Sequence, residues 1–232
     1  MSGSKGRLTL SGLSVGASDS DRSFRLDIDH LEATAGDVIG LSGPSGTGKT
    51  MLLEVLGLLR RPQKADVFLF VAGGHEIDIA AMWRSDEASR LAPSLRGAHF
   101  GFVPQTGGLL PFLSVYENIS LCQEIAGRPD AEWISRLQDM LGLKGLGALL
   151  PEALSIGQRQ RVAIARALAH RPSFVIADEP TAALDPDNAM TALSLLIDAA
   201  RNGEAAVIVS SHDVSLLDRF ATRRVALGLA PS

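Results

Sequence analysis

Gly43-Pro44-Ser45-Gly46-Thr47-Gly48-Lys49-Thr50 is the stretch on which the fold turns. It fits G-x-x-x-x-G-K-[ST], the pattern of a phosphate-binding loop. The apolar run Val38-Ile39-Gly40-Leu41 precedes it, and a helical stretch, Met51 to Leu59, follows. Strand, loop and helix in that order are the context the pattern requires. Glycines let consecutive backbone N–H groups converge on one point, where a β-carbon would obstruct them. The helix N-terminus adds positive dipole where phosphate charge would sit. Lys49 is placed to reach the β- and γ-phosphates, and the Thr50 hydroxyl to bind Mg²⁺. The candidate nucleotide-binding set therefore runs from Gly43 through Met51. A chance match in a chain of this length has odds of about one in a hundred. The loop points to a nucleotide, without saying which reaction.

Composition narrows the classes. With 232 residues, 46% of them hydrophobic, the chain can bury a sizeable core. Its net charge is −4 and no basic block occurs, which argues against nucleic acid as a partner. Arg60-Arg61 read as dipole compensation at the end of the helix, before the stop at Pro62. The single cysteine, Cys122, permits no internal disulfide, fits a reducing compartment and reads as a small buried apolar residue. The N-terminus shows no signal-peptide pattern, and no run approaches the ~20 apolar residues of a membrane span. A soluble chain is expected, with any membrane role supplied by a partner.

Alternating patterns predict half-buried strands over 8–13 and 24–31, with Phe24, Leu26 and Ile28 on the core side. Further strands are expected at Val67 to Ala72, Phe100 to Val103, Phe174 to Ala177, Ala205 to Ser210 and Val225 to Leu229. Residues 115–126, 130–143 and 157–170 look helical; 85–95 is polar and helical or irregular. Short apolar runs alternating with helices predict a parallel α/β core. The helices between 110 and 170 come without strands, so they read as an insertion.

Phe174-Val-Ile-Ala-Asp178-Glu179 is an apolar strand ending in two carboxylates. In open α/β sheets ligands bind at that end of a strand. Asp178 is a candidate Mg²⁺ ligand and Glu179 a candidate general base. Upstream, Leu154-Ser155-Ile156-Gly157-Gln158 precedes a helical stretch, and Ser155-x-x-Gln158 is a capping-box pattern.

Here the chain resembles the ATP-binding cassette family, whose signature is Leu-Ser-Gly-Gly-Gln. The resemblance covers nearly the whole sequence. Its elements fall in the family's order: phosphate loop 43–50, Gln105, signature 154–158, acidic strand 174–179, Ala183-Leu184-Asp185 and His212. It implies an α/β phosphate-loop NTPase core with a mostly parallel sheet, an N-terminal antiparallel β subdomain and a helical subdomain inserted at roughly 106–168. The chain, 1–232, would be one ATPase domain. The resemblance also implies roles. Glu179, His212 and Gln105 would be catalytic, and Thr50, Gln105 and Asp178 would surround Mg²⁺. Ser155, Ile156, Gly157 and Gln158 would face the γ-phosphate held by a second subunit, with Asp185 in the loop that crosses between subunits. ATP and an integral membrane permease would be the partners, in a homodimer or a heterodimer with a related ATPase, on the cytoplasmic face of the inner membrane. A regulatory or repair ATPase of the same superfamily is the alternative. A phosphate-loop kinase would leave the signature unexplained.

Two departures stand out. Ile156 replaces the first signature glycine, so the backbone there must be ordinary. The family's adenine-stacking aromatic is missing from 14–23, which predicts modest discrimination between bases. Gly101 to Ile119, with Leu95-Arg96 before it, is similar to cassettes of bacterial lipoprotein-release and macrolide-export transporters.

Overall fold

Two sheets share one apolar layer in the structure, a computed structural model that describes residues 6–19, 22–202 and 205–228. From the N-terminus, β1 (Arg7–Asp19) and β2 (Arg22–Thr34) form a hairpin, and β3 (Val38–Ser42) leads into α1 (Lys49–Leu56). A second hairpin, β4 (Val67–Ala72) and β5 (His75–Asp78), is followed by α2 (Ile79–Arg84), α3 (Ala88–His99) and β6 (Phe100–Val103). Next come α4 (Val115–Ala126), α5 (Ala131–Met140), a 3₁₀ turn over Pro151–Ala153 and α6 (Ile156–Ala169), with no strand between them. The chain returns to the core as β7 (Phe174–Asp178), α7 (Pro186–Arg201), β8 (Ala206–Ser210), α8 (Val214–Phe220) and β9 (Arg223–Ala226).

The hairpins make an antiparallel sheet ordered β2-β1-β4-β5. The remaining strands make a sheet ordered β6-β7-β8-β3-β9, parallel throughout. Every residue of β3, β7 and β8 is buried, as expected of parallel strands covered on both faces. Successive side chains leave for opposite faces. Ile39, Leu41, Phe174, Ile176 and Ile208 join Leu8, Leu10, Phe68, Phe70 and the α1 leucines Leu52, Leu53 and Leu56 in one cluster. Val175, Ala177, Val207 and Val209 face the other way, onto Ile119, Val162 and Leu196 of α4, α6 and α7. The sheet is thus held between the antiparallel layer with α1 and the later helices. Its strand ends at Ser42 and Asp178 are left to meet a ligand.

The helix after the phosphate loop is shorter than its apolar pattern predicts. It stops at Leu56, where Gly57 caps it and Leu58 takes a left-handed φ of 57°. Arg60 and Arg61 therefore lie beyond the last turn and do not compensate its dipole. The last strand lies at Arg223–Ala226, ahead of its expected position. Leu229, the N-terminal segment 1–5 and the end at Ser232 lie outside the described residues. Cys122 is half-buried, and burial raises its thiol pKa. Among the described residues no helix is long and apolar enough to cross a membrane.

Candidate functional site

The phosphate loop joins β3 to α1 across the upper edge of the parallel sheet. No side chain caps α1, whose N-cap is Gly48, so its first N–H groups remain open toward a ligand. Gly48 would be strained if replaced by a larger residue. Its φ is 86°, and a β-carbon there would lie 2.8 Å from the Phe24 ring. Lys49 is buried, and its Nζ donates to the carbonyls of Gly43 and Pro44 at 2.7 and 3.1 Å. Thr47 is fully buried, with its hydroxyl on the Pro44 carbonyl at 2.9 Å.

The acidic strand end meets this loop directly. The Thr50 hydroxyl donates to Asp178 Oδ2 at 2.7 Å, linking α1 to β7. Ser210 at the end of β8 donates to Asp178 Oδ1 at 2.6 Å and accepts from the Glu179 N–H at 2.9 Å. Ser210 stands opposite Asp178 in the ladder, so strand register places it there. Glu179 is 7% exposed and holds a left-handed φ of 45°, a conformation that costs a non-glycine residue about 1–3 kcal/mol. Its Oε2 accepts from the His212 N–H at 3.2 Å. Its Oε1 lies 3.3 Å from His212 Nε2 but has no aligned hydrogen-bond donor, and it is buried. A buried carboxylate oxygen left unpartnered beside a polar cleft is suited to receive a proton from a water molecule.

These groups open onto a cleft of about 450 Å³. Of the expected residues, Ser45, Gly46, Gly48, Lys49, Thr50, Met51, Gln105, Asp178, Glu179 and His212 line it. Gly43, Pro44 and Thr47 do not; they frame the loop through their backbone and the Thr47 hydroxyl. Ser155, Ile156, Gly157, Gln158 and Asp185 are not part of the cleft wall either.

The signature residues are at the exposed N-terminus of α6. Ser155 and Gln158 form both bonds of a capping box, Gln158 N–H to Ser155 Oγ at 3.2 Å and Ser155 N–H to Gln158 Oε1 at 2.8 Å. Ile156 opens the helix with its side chain 64% exposed. It is absent from the left-handed residues, in line with an ordinary backbone at this position. A β-carbon on Gly157 would reach Leu184 and Ala183 at 3.4 and 3.5 Å, so the signature abuts the loop that carries Asp185. Asp185 caps α7, and hydrogen bonds from Asn188 hold its carboxyl below the usual range.

Three cleft residues escape a sequence reading. Phe24 shares a face with Leu26 and Ile28, as its alternation predicts, and packs on the core. At the far end of that face it is only half-buried and also forms the cleft wall against Gly48. An aromatic ring thus stands on the cleft wall just beyond the interval 14–23. Glu54 and Arg60 line the rim and pair at 2.6 Å; this ion pair accounts for Arg60. Ser210 could have been found as the polar residue closing an apolar strand. The other histidines form no metal-binding group among the described residues.

Residues 26–182 match the ABC transporter family. Among curated relatives, the lipoprotein-releasing system ATP-binding protein LolD of Maricaulis maris is 40% identical, over 82% of this chain and 80% of its own. LolD of Granulibacter bethesdensis is 41% identical over 84% and 82%. A solved dimeric ATP-binding cassette in a post-hydrolysis state, bound to ADP and Pi, superposes with a TM-score of 0.78 at 28% identity. That likeness covers 95% of this chain and 94% of the other. The phosphate loop bonded to an acidic strand end, the separate capped signature helix and these likenesses agree: the chain belongs to the ABC transporter family, as one of its ATPase cassettes.

Proposed function

We propose that this cassette powers a bacterial transporter of the lipoprotein-release type, and that two cassettes enclose two ATP molecules head to tail. The observation that carries the reading is the hydrogen-bonded path Thr50–Asp178–Ser210–Glu179, which joins the phosphate loop to the candidate base within one cleft. The names of the LolD relatives and the dimeric cassette support the transport branch and the pairing.

Lys49 and the open N–H groups of α1 would bind the phosphates. Thr50 and Asp178 present two hard oxygens side by side, a donor set that fits Mg²⁺, with Gln105 on the same cleft wall. When bound, that ion would offset charge on the phosphate oxygens. Glu179 takes a proton from water, whose oxygen adds to the γ-phosphorus. The bond to the β–γ bridging oxygen breaks, and ADP and phosphate leave. His212 holds Glu179 through its backbone N–H and turns its ring toward the γ-phosphate. Ser155 to Gln158 serve the neighbour's γ-phosphate, and Asp185 crosses the dimer interface.

The whole chain acts as one domain, with 106–168 as its helical subdomain. The other partner is an integral membrane permease, which places the cassette on the cytoplasmic face of the inner membrane. Docking is assigned near 105–120, where Phe112 is 73% exposed and Tyr116 is exposed too. The two cassettes are identical or closely related.

Glu179→Gln tests the base. The amide keeps the shape and cannot take the proton, so ATP affinity should stay while hydrolysis falls about 10²–10⁴-fold. The closed dimer should then accumulate with MgATP in size-exclusion chromatography. Hydrolysis at the wild-type rate would remove Glu179 from the mechanism.

A further inference from the structure

Gln105 lies in an exposed loop, yet the chain on both sides of it is tied to α6. Before it, the Pro104 carbonyl receives Gln160 Nε2 at 3.4 Å, a long bond from a side chain that is 2% exposed. After it, Arg166 Nη1 donates to the Gly108 carbonyl at 3.0 Å and Nη2 to the Gly107 carbonyl at 3.3 Å. Gly107 and Gly108 are both left-handed, with φ of 76° and 55°. Two such turns in succession aim their carbonyls in a way ordinary extended chain would not, and one planar guanidinium collects both.

Arg166 has no carboxylate to pair with among the described residues. Burial lowers its pKa. A half-buried guanidinium that donates to two neighbouring carbonyls holds backbone rather than a charge partner. Its geometry makes sense as a clamp on that loop. The same helix presents Ser155 and Ile156 at its far end, and Arg159 fixes the approach to it by donating to the Leu154 carbonyl at 2.7 Å.

We propose that Arg166 is a positioning residue for Gln105. It clamps the Gln105 loop to α6, so that filling of one cleft is passed along this helix to the signature end that serves the other. The inference rests on the role given to Gln105 above. It adds the residue that makes the loop and the signature helix move as one body, with Gln160 as a weaker second tie.

A double-mutant cycle separates this role from a purely structural one. Gln105→Ala, Arg166→Gln and the pair are compared for hydrolysis by the full chain with MgATP, with monomer ATP affinity and thermal melting measured alongside. Arg166→Gln should leave ATP affinity within about twofold and lower kcat by up to about 10²-fold, the scale of a misplaced catalytic group. In the Gln105→Ala background it should cost almost nothing more. Arg166→Lys, which reaches one carbonyl at a time, should recover part of the rate. Equal losses from Arg166→Gln in both backgrounds would overturn the proposal. A wild-type rate in Gln105→Ala alone would instead overturn the role of Gln105, and the clamp with it.

Hydrogen exchange gives a second readout that does not depend on turnover. In Glu179→Gln protein, ATP should protect residues 105–110 and 156–160 together. Arg166→Gln added to it should leave only one of the two segments protected. Both segments still protected together would refute the clamp. Should the Arg166 variants not fold, the Glu179→Gln protein decides alone: protection of the loop without the helix end would refute it.

Discussion

Phe24 shapes the cleft from outside the phosphate loop. Its ring closes the space above Gly48 and leaves no room for a β-carbon there. Aromatic stacking is worth ~1–3 kcal/mol per base and is indifferent to which base it meets. Phe24→Ala should therefore weaken ATP and GTP binding alike, by roughly tenfold, in equilibrium titrations of the isolated chain. Phe24→Tyr should bind both normally, and the wild type should prefer neither strongly, because stacking ignores base identity and not because an aromatic is missing. Loss of ATP affinity alone, or no loss, would take Phe24 out of base contact. The residue also shows a limit of pattern reading. Alternation correctly gives the face of β2 on which Phe24 stands, but it does not say how far along that face the core extends. The placement of Lys49, Thr50, Asp178 and Glu179 on the cleft wall was legible because their backbone context is local: a loop before a helix, and acids closing an apolar strand. The Glu54–Arg60 pair was hidden because it depends on where a helix stops, whereas Ser210, closing an apolar strand, left a sign of its own and only its partner was out of reach.

At the level of elements, α6 joins the capped Ser155 end to Arg166 in its last turn. Its capped N-terminus stands outside the cleft of its own chain, so a bulky cation at Ser155 should not disturb nucleotide binding there. Ser155→Arg is expected to keep near-normal ATP affinity and to lose both ATP-dependent dimerisation and hydrolysis. Mixing it with Lys49→Ala protein should restore some hydrolysis, since one of the two composite sites then carries neither lesion. If Ser155→Arg abolishes ATP binding by the monomer, the signature acts within its own chain. The ends of β4, β6 and α4 were readable from abrupt changes in apolar pattern. β5 was not, because it is four mostly exposed residues with no buried stripe. α7 left a usable sign in Asp185 at its cap with Pro186 after it, followed by Leu193, Leu196, Ile197 and Ala200 on one face.

For the molecule as a whole, acid is the expected point of weakness. His170 is 2% exposed, and its Nε2 donates to the Phe100 carbonyl at 3.1 Å while Nδ1 is buried without a partner. Burial drives its pKa down to about 4, against the hydrogen bond to Phe100, with Arg128 and His99 adding to the fall. His99 is lowered too, by burial and by the nearby Arg128 and His75. The unfolded chain therefore takes up a proton near the ordinary histidine value of about 6.5, while the folded chain resists it. The stability this represents is complete above that pH and is lost as pH falls toward 4, on the order of 3 kcal/mol for His170. Melting temperatures should drop over this window in the wild type and less steeply in His170→Gln, whose amide can still donate to Phe100. An equally steep drop in that variant would place the acid sensitivity elsewhere.

Asp178 and Ser210 face each other across the β7–β8 ladder. The separation of neighbouring strands, about 4.8 Å in any sheet, thus decides where the acids stand. The reach of Thr50 to Asp178 is set differently, by the apolar seating of α1 on the sheet. A one-residue slip of β8 would turn Ser210 to the opposite face, whereas a volume-conserving apolar swap beneath α1 leaves the ladder in register. Strand pairing therefore fixes one half of the acid's surroundings and core packing the other. Exactness of the chemistry thus depends on the interior as well as on the ladder.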